Sequence, residues 1–152
     1  LKKRQVKSPK VYIRDAGLLH ALLGIGTERD LLSHPKAGAS WEGAAIEWAL
    51  DVLRPDAAHF WATHQGAELD LFVIRRGRRY GIEVKREDAP RVTPSMRAAL
   101  SDLQLAHLTV LYPGDEPYVL ASNITVVPMA WLARNDPALL LGPPRGSRTG
   151  RA

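Results

Sequence analysis

The chain has 152 residues, 45% of them hydrophobic and 24% charged, and no cysteine; that is enough for one domain with a buried core, and it rules out a disulfide framework or a thiolate zinc site. No apolar run approaches the ~20 residues of a membrane span, and the basic opening LKKRQVKSPK leads into no signal-type apolar core, so a soluble protein of the reducing cytoplasm is expected. The formal charge of +5 is concentrated at the ends: residues 1–10 hold five Lys or Arg and residues 145–152 hold three Arg, neither with an acid, whereas the stretch between holds 13 basic and 16 acidic residues, so the folded part is not broadly basic.

Residues 1–10 read as a polar linker or edge segment. The first residue is Leu rather than Met, so a severed connection to a preceding domain is expected. Residues 11–134 carry the patterning of a folded domain. Val11 to Arg14 suits a short strand. Asp15 can cap a helix through Leu23, stopped by Gly24. Gly24 to Gly38 is loop-like, with a turn of helix over Glu28 to Leu32. Ser40 then caps a helix to about Leu53, with Pro55 just beyond. Three strands follow: Ala58 to His64, Glu68 to Ile74 and Tyr80 to Lys85, the last two flanking an Arg-Gly turn signal. Thr93 caps a helix with Pro94 in its first turn, reaching about Leu105. Leu108 to Tyr112 is a strand, Pro113-Gly114-Asp115 a turn, and Tyr118 to Ala121 and Ile124 to Val127 are short strands. Met129 to Arg134 suits a short helix. Residues 135–152 are expected to be a disordered tail, most markedly from Gly142, where Gly, Pro and Arg dominate. The order helix, three strands, helix, strand implies an α/β fold: a mixed sheet flanked by helices.

Two places concentrate chemistry. On the helix after Ser40, Glu42 shares a face with Ile46, Ala49 and Leu53 and so points toward the apolar side, although a first-turn carboxylate also simply complements the helix dipole. On the strand after the Arg-Gly turn, Gly81, Glu83 and Lys85 alternate onto one face. Asp70 shares a face with Phe72 and Ile74. If Arg76-Gly77 is the two-residue turn, Asp70 lies opposite Glu83; if Gly77-Arg78 is, it lies opposite Lys85. Both registers gather Asp70, Glu83 and Lys85, and a bulge would break this. Two close carboxylates repel unless a cation joins them. Hard oxygens suit magnesium, and an adjacent Lys can orient or help activate a water, the equipment of metal-assisted phosphodiester hydrolysis. An exposed face on which Lys85 merely pairs with a carboxylate is the plainer alternative. Arg75, Arg76, Arg78 and Arg79 cluster at the turn, either as a solvated hairpin tip or as phosphate contacts.

Other groups weigh less. His59 and His64 are five apart around a strand and should face opposite sides. His20 and His107 suit ordinary core or surface positions, and Trp41, Trp48, Trp61 and Trp131 suit packing. Glu68 reads as an exposed strand start rather than a further ligand. No P-loop pattern occurs, so this chain is not itself an ATP-binding module.

The string GAELDLFVIRRGRRYGIEVK, with WEGAAIE upstream, resembles the PD-(D/E)XK nuclease superfamily. It is most similar to the uncharacterised domain at the C-terminus of many bacterial and archaeal AAA-type ATPases. KSPKVYIRDAGLLHALLG looks like that domain's opening, and the resemblance spans roughly residues 7–132. It implies a restriction-endonuclease-like core and an ATPase domain upstream in the same polypeptide. It also implies Asp70, Glu83 and the Val84 carbonyl as ligands of magnesium or manganese, Lys85 serving the attacking water, Glu42 as the acidic residue of the first helix, and DNA or RNA as substrate. Leu69 stands where the superfamily's name has proline. A non-catalytic module that holds a partner or nucleic acid for an ATPase is the rival expectation.

Overall fold

The computed structural model describes residues 11–142; the expected linker 1–10 and most of the expected tail lie outside that range. Three helices open the described chain: α1 (Ala16–Leu22), α2 (Glu28–Ser33) and α3 (Ala37–Leu53). Asp15 caps α1 by accepting the Leu18 amide, and Thr27 caps α2 in a reciprocal box with Asp30. Helix α3 begins at Ala37, four residues before the start that a Ser40 cap would give. Ser40 is therefore not its cap but lies buried within its first turn, where its hydroxyl meets His20.

Strands β1 (Ala57–Ala62), β2 (Glu68–Arg75) and β3 (Arg78–Val84) form an antiparallel meander. Arg75 pairs with Arg78, so the two-residue turn is Arg76-Gly77. Its φ values are 50° and 73°, both positive, as a type I′ hairpin requires. The Asp56 carboxylate accepts the Arg76 amide at 2.7 Å and braces the turn. Helix α4 (Pro94–Asp102), capped by Thr93, then crosses over to β4 (His107–Tyr112), which lies parallel to β3. Strands β5 (Tyr118–Ala121) and β6 (Ile124–Pro128) complete a six-stranded mixed sheet in the order β1-β2-β3-β4-β6-β5.

The sheet is buried on both faces, in the sandwich that its central strands' near-continuous apolar character demands. On one side α3 packs Ala45, Ile46, Ala49 and Leu53 against Leu71, Val73, Ile82 and Val84. On the other, α4 packs Met96, Ala99 and the following Leu103 against Leu69, Leu108 and Val110. Gly81 faces this second layer, where an added Cβ would come within 2.7 Å of Leu105; the close approach of strand to loop needs glycine there.

Met129–Arg134 is a 3₁₀ helix. Pro137–Leu140 forms another short 3₁₀ turn, with Asp136 capping it and Leu140 fully buried in the α3 layer. The domain thus runs past 134. Residues 135–142 pack on it instead of beginning a disordered tail, because Leu140 supplies an apolar anchor to that layer and the Leu140 carbonyl accepts from the buried Thr109 hydroxyl.

Candidate metal centre

The candidate site forms where β2 and β3 part. His59 pairs with Phe72 but Trp61 pairs with Leu69, so Asp70 and Leu71 together oppose one residue of β1. This is a β-bulge. It turns Leu69 into the α4 layer and Leu71 into the α3 layer, although strict alternation would place both on one face. Pairing of β2 with β3 stops at Leu71 and Ile82. Beyond that point the Val84 amide donates to Asp70 Oδ2 at 2.8 Å. A side chain thus takes over a backbone hydrogen bond of the strand pair, and it fixes the Asp70 carboxylate against the end of β3.

Glu83 is 4% exposed and Asp70 8%, so the face is covered rather than solvated. Lys85 Nζ lies 2.7 Å from Glu83 Oε1. Among the described residues, Glu83 Oε2 is buried with no hydrogen-bond partner. Burial first, and the Asp70 charge second, push the Glu83 carboxyl up to about 7, against the opposing pull of Lys85 and of the Asp70 amide. Burial works against the Lys85 charge, but the hydrogen bond and charge of Glu83, with Asp70 and Glu87 behind, hold its pKa above the ordinary value. Lys85 is therefore an ammonium at neutral pH.

The structure thus brings together Asp70, Glu83 and Lys85, with Val84 engaged through its amide. Glu42 is half-buried and is tied elsewhere. It accepts the Tyr12 hydroxyl at 2.6 Å and lines an apolar cleft with Val11, Ile13 and Leu19. Among the described residues no group of three or more His, Asp or Glu is placed to hold a metal ion, so Glu42 does not complete a three-carboxylate set.

The four arginines divide between surfaces. Arg75 and Arg78 face each other across the hairpin, and Arg78 sits 5.6 Å over the Tyr80 ring. Arg79 donates to the Leu103 carbonyl at 3.1 Å and joins Phe72 and Asp102 in a separate cleft. Arg78 and Glu83 are five residues apart on one strand, about 17 Å, so the basic tip and the acidic pair occupy opposite ends of the hairpin. Glu68 is exposed. His59 stacks on Phe72, and His64 lies beyond the end of β1. Trp48 is 40% exposed and does not pack as expected. Two polar pairings have no signature in the sequence: His20 with Ser40, and buried His107 with Thr125 at 2.8 Å. Each joins residues distant in the chain, so no local spacing announces it.

The profile of the domain of unknown function DUF4143 matches residues 37–132. The chain belongs to the DUF4143 family. Uncharacterized proteins of Mycobacterium tuberculosis and Mycobacterium bovis are each 51% identical to it over 126 residues, covering 83% of this chain and 29% of their own length. The chain spans less than a third of these curated relatives. No solved structure matches it. The DUF4143 match includes both carboxylates of the hairpin, Lys85 and α3, but it begins after α1 and α2.

Proposed function

We propose that this DUF4143 domain is a metal-dependent nuclease that hydrolyses phosphodiester bonds of DNA or RNA. Asp70 and Glu83 would hold magnesium or manganese. The observation that supports this most is Glu83 itself, a buried carboxylate beside a second carboxylate, with one oxygen on Lys85 and the other without a partner among the described residues. The donor set fits a hard divalent ion, which needs only one or two carboxylates and keeps several waters. When bound, such an ion activates water and stabilises charge on the phosphate.

The chain's own groups do the positioning. The Val84 amide locks Asp70 in place. Lys85 has three N–H donors and spends one on Glu83. The others can reach a phosphate oxygen or the attacking water, since the side chain is 29% exposed. Being held protonated, Lys85 serves as a donor and orienting charge, not as the base. The exposed Arg76, Arg78 and Arg79 are the proposed phosphate contacts at the far end of the hairpin. An ATPase domain elsewhere in the longer polypeptide is part of the same reading, supported by the sequence resemblance.

A second reading, a non-catalytic module that binds a partner or nucleic acid, draws on the Lys85–Glu83 pair, which neutralises one carboxylate without any metal. A cleavage assay on single-stranded, duplex and branched DNA and on RNA, in magnesium and in manganese, separates the two. Wild type should cut at least one substrate, and Lys85→Ala should lose cutting while still binding metal. Equal inactivity of both folded proteins on every substrate would leave the binding module.

A further inference from the structure

The first helix is joined to the domain by polar contacts and turns its leucines outward. His20 meets Ser40 of α3 at 2.6 Å, and just before the helix Tyr12 donates to Glu42 and Arg14 Nε lies 3.8 Å from Glu47. No residue of α1 or α2 is buried. Leu18 and Leu22, one helical turn apart, are 53% and 67% exposed. Of the eight large hydrophobic side chains exposed among the described residues, six lie between residues 11 and 32: Val11, Ile13, Leu18, Leu22, Leu23 and Leu32. Val11, Ile13 and Leu23 share one cleft of about 430 Å³ with Leu19 and with Ala39 and Gly43 of α3. Single exposed leucines are ordinary, but apolar side chains gathered on one short stretch mark an interaction surface.

Charge and chain length decide what covers this face. A lipid surface fits poorly. Asp15, Glu28 and Asp30 border the patch, carboxylates that an anionic leaflet repels. Helix α1 carries no Lys or Arg, so it lacks the cationic polar face of a membrane-surface helix. The adjoining residues 1–10 match no better, with five Lys or Arg and only Leu1 and Val6 as large apolar side chains. A second copy would be held by this patch alone, whose lining is small beside the about 20–30 residues a side that join two free chains. The occupant that remains is part of the same polypeptide. The 126 residues shared with the mycobacterial proteins make up 29% of each, so more than two thirds of each relative stands outside the shared stretch and is tethered to it. A short tether raises the concentration of one surface at another to about millimolar. A patch too small to hold a free partner therefore suffices within one chain, where contacts between domains are modest in area.

We propose that the face formed by Val11, Ile13 and the leucines of α1 is the docking surface for another domain of the same, longer polypeptide. An apolar ridge of that domain packs into the cleft, with a carboxylate opposite the exposed Lys36 at its edge. The proposal does not rest on the nuclease reading. Helix α3 contributes Glu42 to the cleft and packs its far side on β2 and β3, so the docked domain would touch the helix that backs the strands of the carboxylate pair.

The test compares the 152-residue chain with the full-length polypeptide of its gene by amide hydrogen exchange. In the shorter chain the α1 amides should exchange quickly, since a short helix without buried residues opens readily. In the full-length polypeptide they should exchange slower by about tenfold or more. Leu18→Gln with Leu22→Gln should abolish that slowing and leave the α4 amides unchanged. Both leucines are more than half exposed and Gln is a good helix former, so the double variant of the shorter chain should keep the wild-type melting temperature. Val11→Asp, at a side chain 88% exposed, should have the same effect without altering the helix. Equal exchange of α1 in the two proteins, slowing that survives both variants, or a reading frame with no further domain would overturn the docking surface. Protection of α1 that appears in the shorter chain as its concentration rises would assign the face to a second copy. Protection on adding vesicles of phosphatidylglycerol and phosphatidylcholine would assign it to a membrane, and either result would overturn the proposal.

Discussion

Replacing Asp70 by Asn should change the protein's stability in opposite directions at alkaline and acid pH. The Glu83 carboxyl stands at about 7 in the fold against 4.5 in its unperturbed state, so ionising it in place costs ~3 kcal/mol. A carboxyl raised in this way contributes its full stability below pH 4.5, where it is protonated in both states, and loses it as pH rises to about 7. Burial is the larger cause and the Asp70 charge the second. Like charges within the ~4–6 Å over which one carboxylate perturbs another repel by roughly 3–4 kcal/mol at an effective dielectric near 20, of which Lys85 screens a part; ~2 kcal/mol is a working figure. Asn keeps an acceptor for the Val84 amide, but a neutral one, at a loss of about 1 kcal/mol. In EDTA at pH 8.5 the balance favours Asp70→Asn by ~1 kcal/mol, or about 3 °C in melting temperature for a chain of this size. At pH 5 Glu83 holds its proton, the repulsion is gone, and only the weaker acceptor remains; Asp70→Asn should then melt about 3 °C below wild type. Scanning calorimetry at the two pH values decides it. A shift of the same sign at both would refute the coupling of Asp70 to Glu83.

Wild type should gain about 4 °C in magnesium at ten times its dissociation constant, and Asp70→Ala should gain nothing; thermal scans with no shift in magnesium or manganese would remove the metal site. That affinity should be lower at pH 6 than at pH 8, because the ion must displace the Glu83 proton, and calorimetric titration at the two pH values reads it directly. Arg76→Gln, Arg78→Gln and Arg79→Gln combined should weaken nucleic-acid binding and lower the slope of log affinity against log salt by about 0.9 for each duplex phosphate that is no longer neutralised; an unchanged slope would place the phosphate-binding surface elsewhere. Burial pushes His107 down to about 4, so its contribution is present above pH 6.5 and is lost as pH falls through that value toward 4. His107→Leu should therefore keep more of its neutral-pH stability at pH 5 than wild type keeps, and an identical pH profile would show that His107 titrates normally.

Most elements were legible because each carried its own punctuation. Thr93 with Pro94 marked α4, and Arg76-Gly77 marked the hairpin, one of two registers that the spacing allowed. The start of α3 was not legible: Ser40 has the chemistry of a cap, but its hydroxyl is engaged by His20 from another helix, and tertiary contact overrode the local signal. Nor was the bulge at Asp70, since pattern alternation assumes an unbroken ladder, whereas here a carboxylate replaces part of it. The gathering of Asp70, Glu83 and Lys85 could be read because both registers shared it. The separate engagement of Glu42 could not, because its partner Tyr12 lies 30 residues away in the chain. The end of the domain extends further than composition suggests because a single buried leucine, Leu140, counts for little against a polar tail.

The cluster makes poor sense as a stability device. A buried ion pair roughly offsets its desolvation only when each remaining polar atom is satisfied. Here Lys85 answers one oxygen of one carboxylate, and Glu83 Oε2 has no partner among the described residues. Asp70 adds a second negative charge that raises the cost of ionising Glu83. Yet Asp70 is held in place by a backbone amide at a bulge, so its position is built and not accidental. An apolar residue at 83 would pack against the α4 layer without this penalty. Local conflict of this kind, in an otherwise consistent fold, is what a functional site looks like. On the proposed reading, a charge that costs stability in the resting protein would acquire a use when a divalent cation arrives, with the Lys85 ammonium beside the carboxylates as the neighbouring donor.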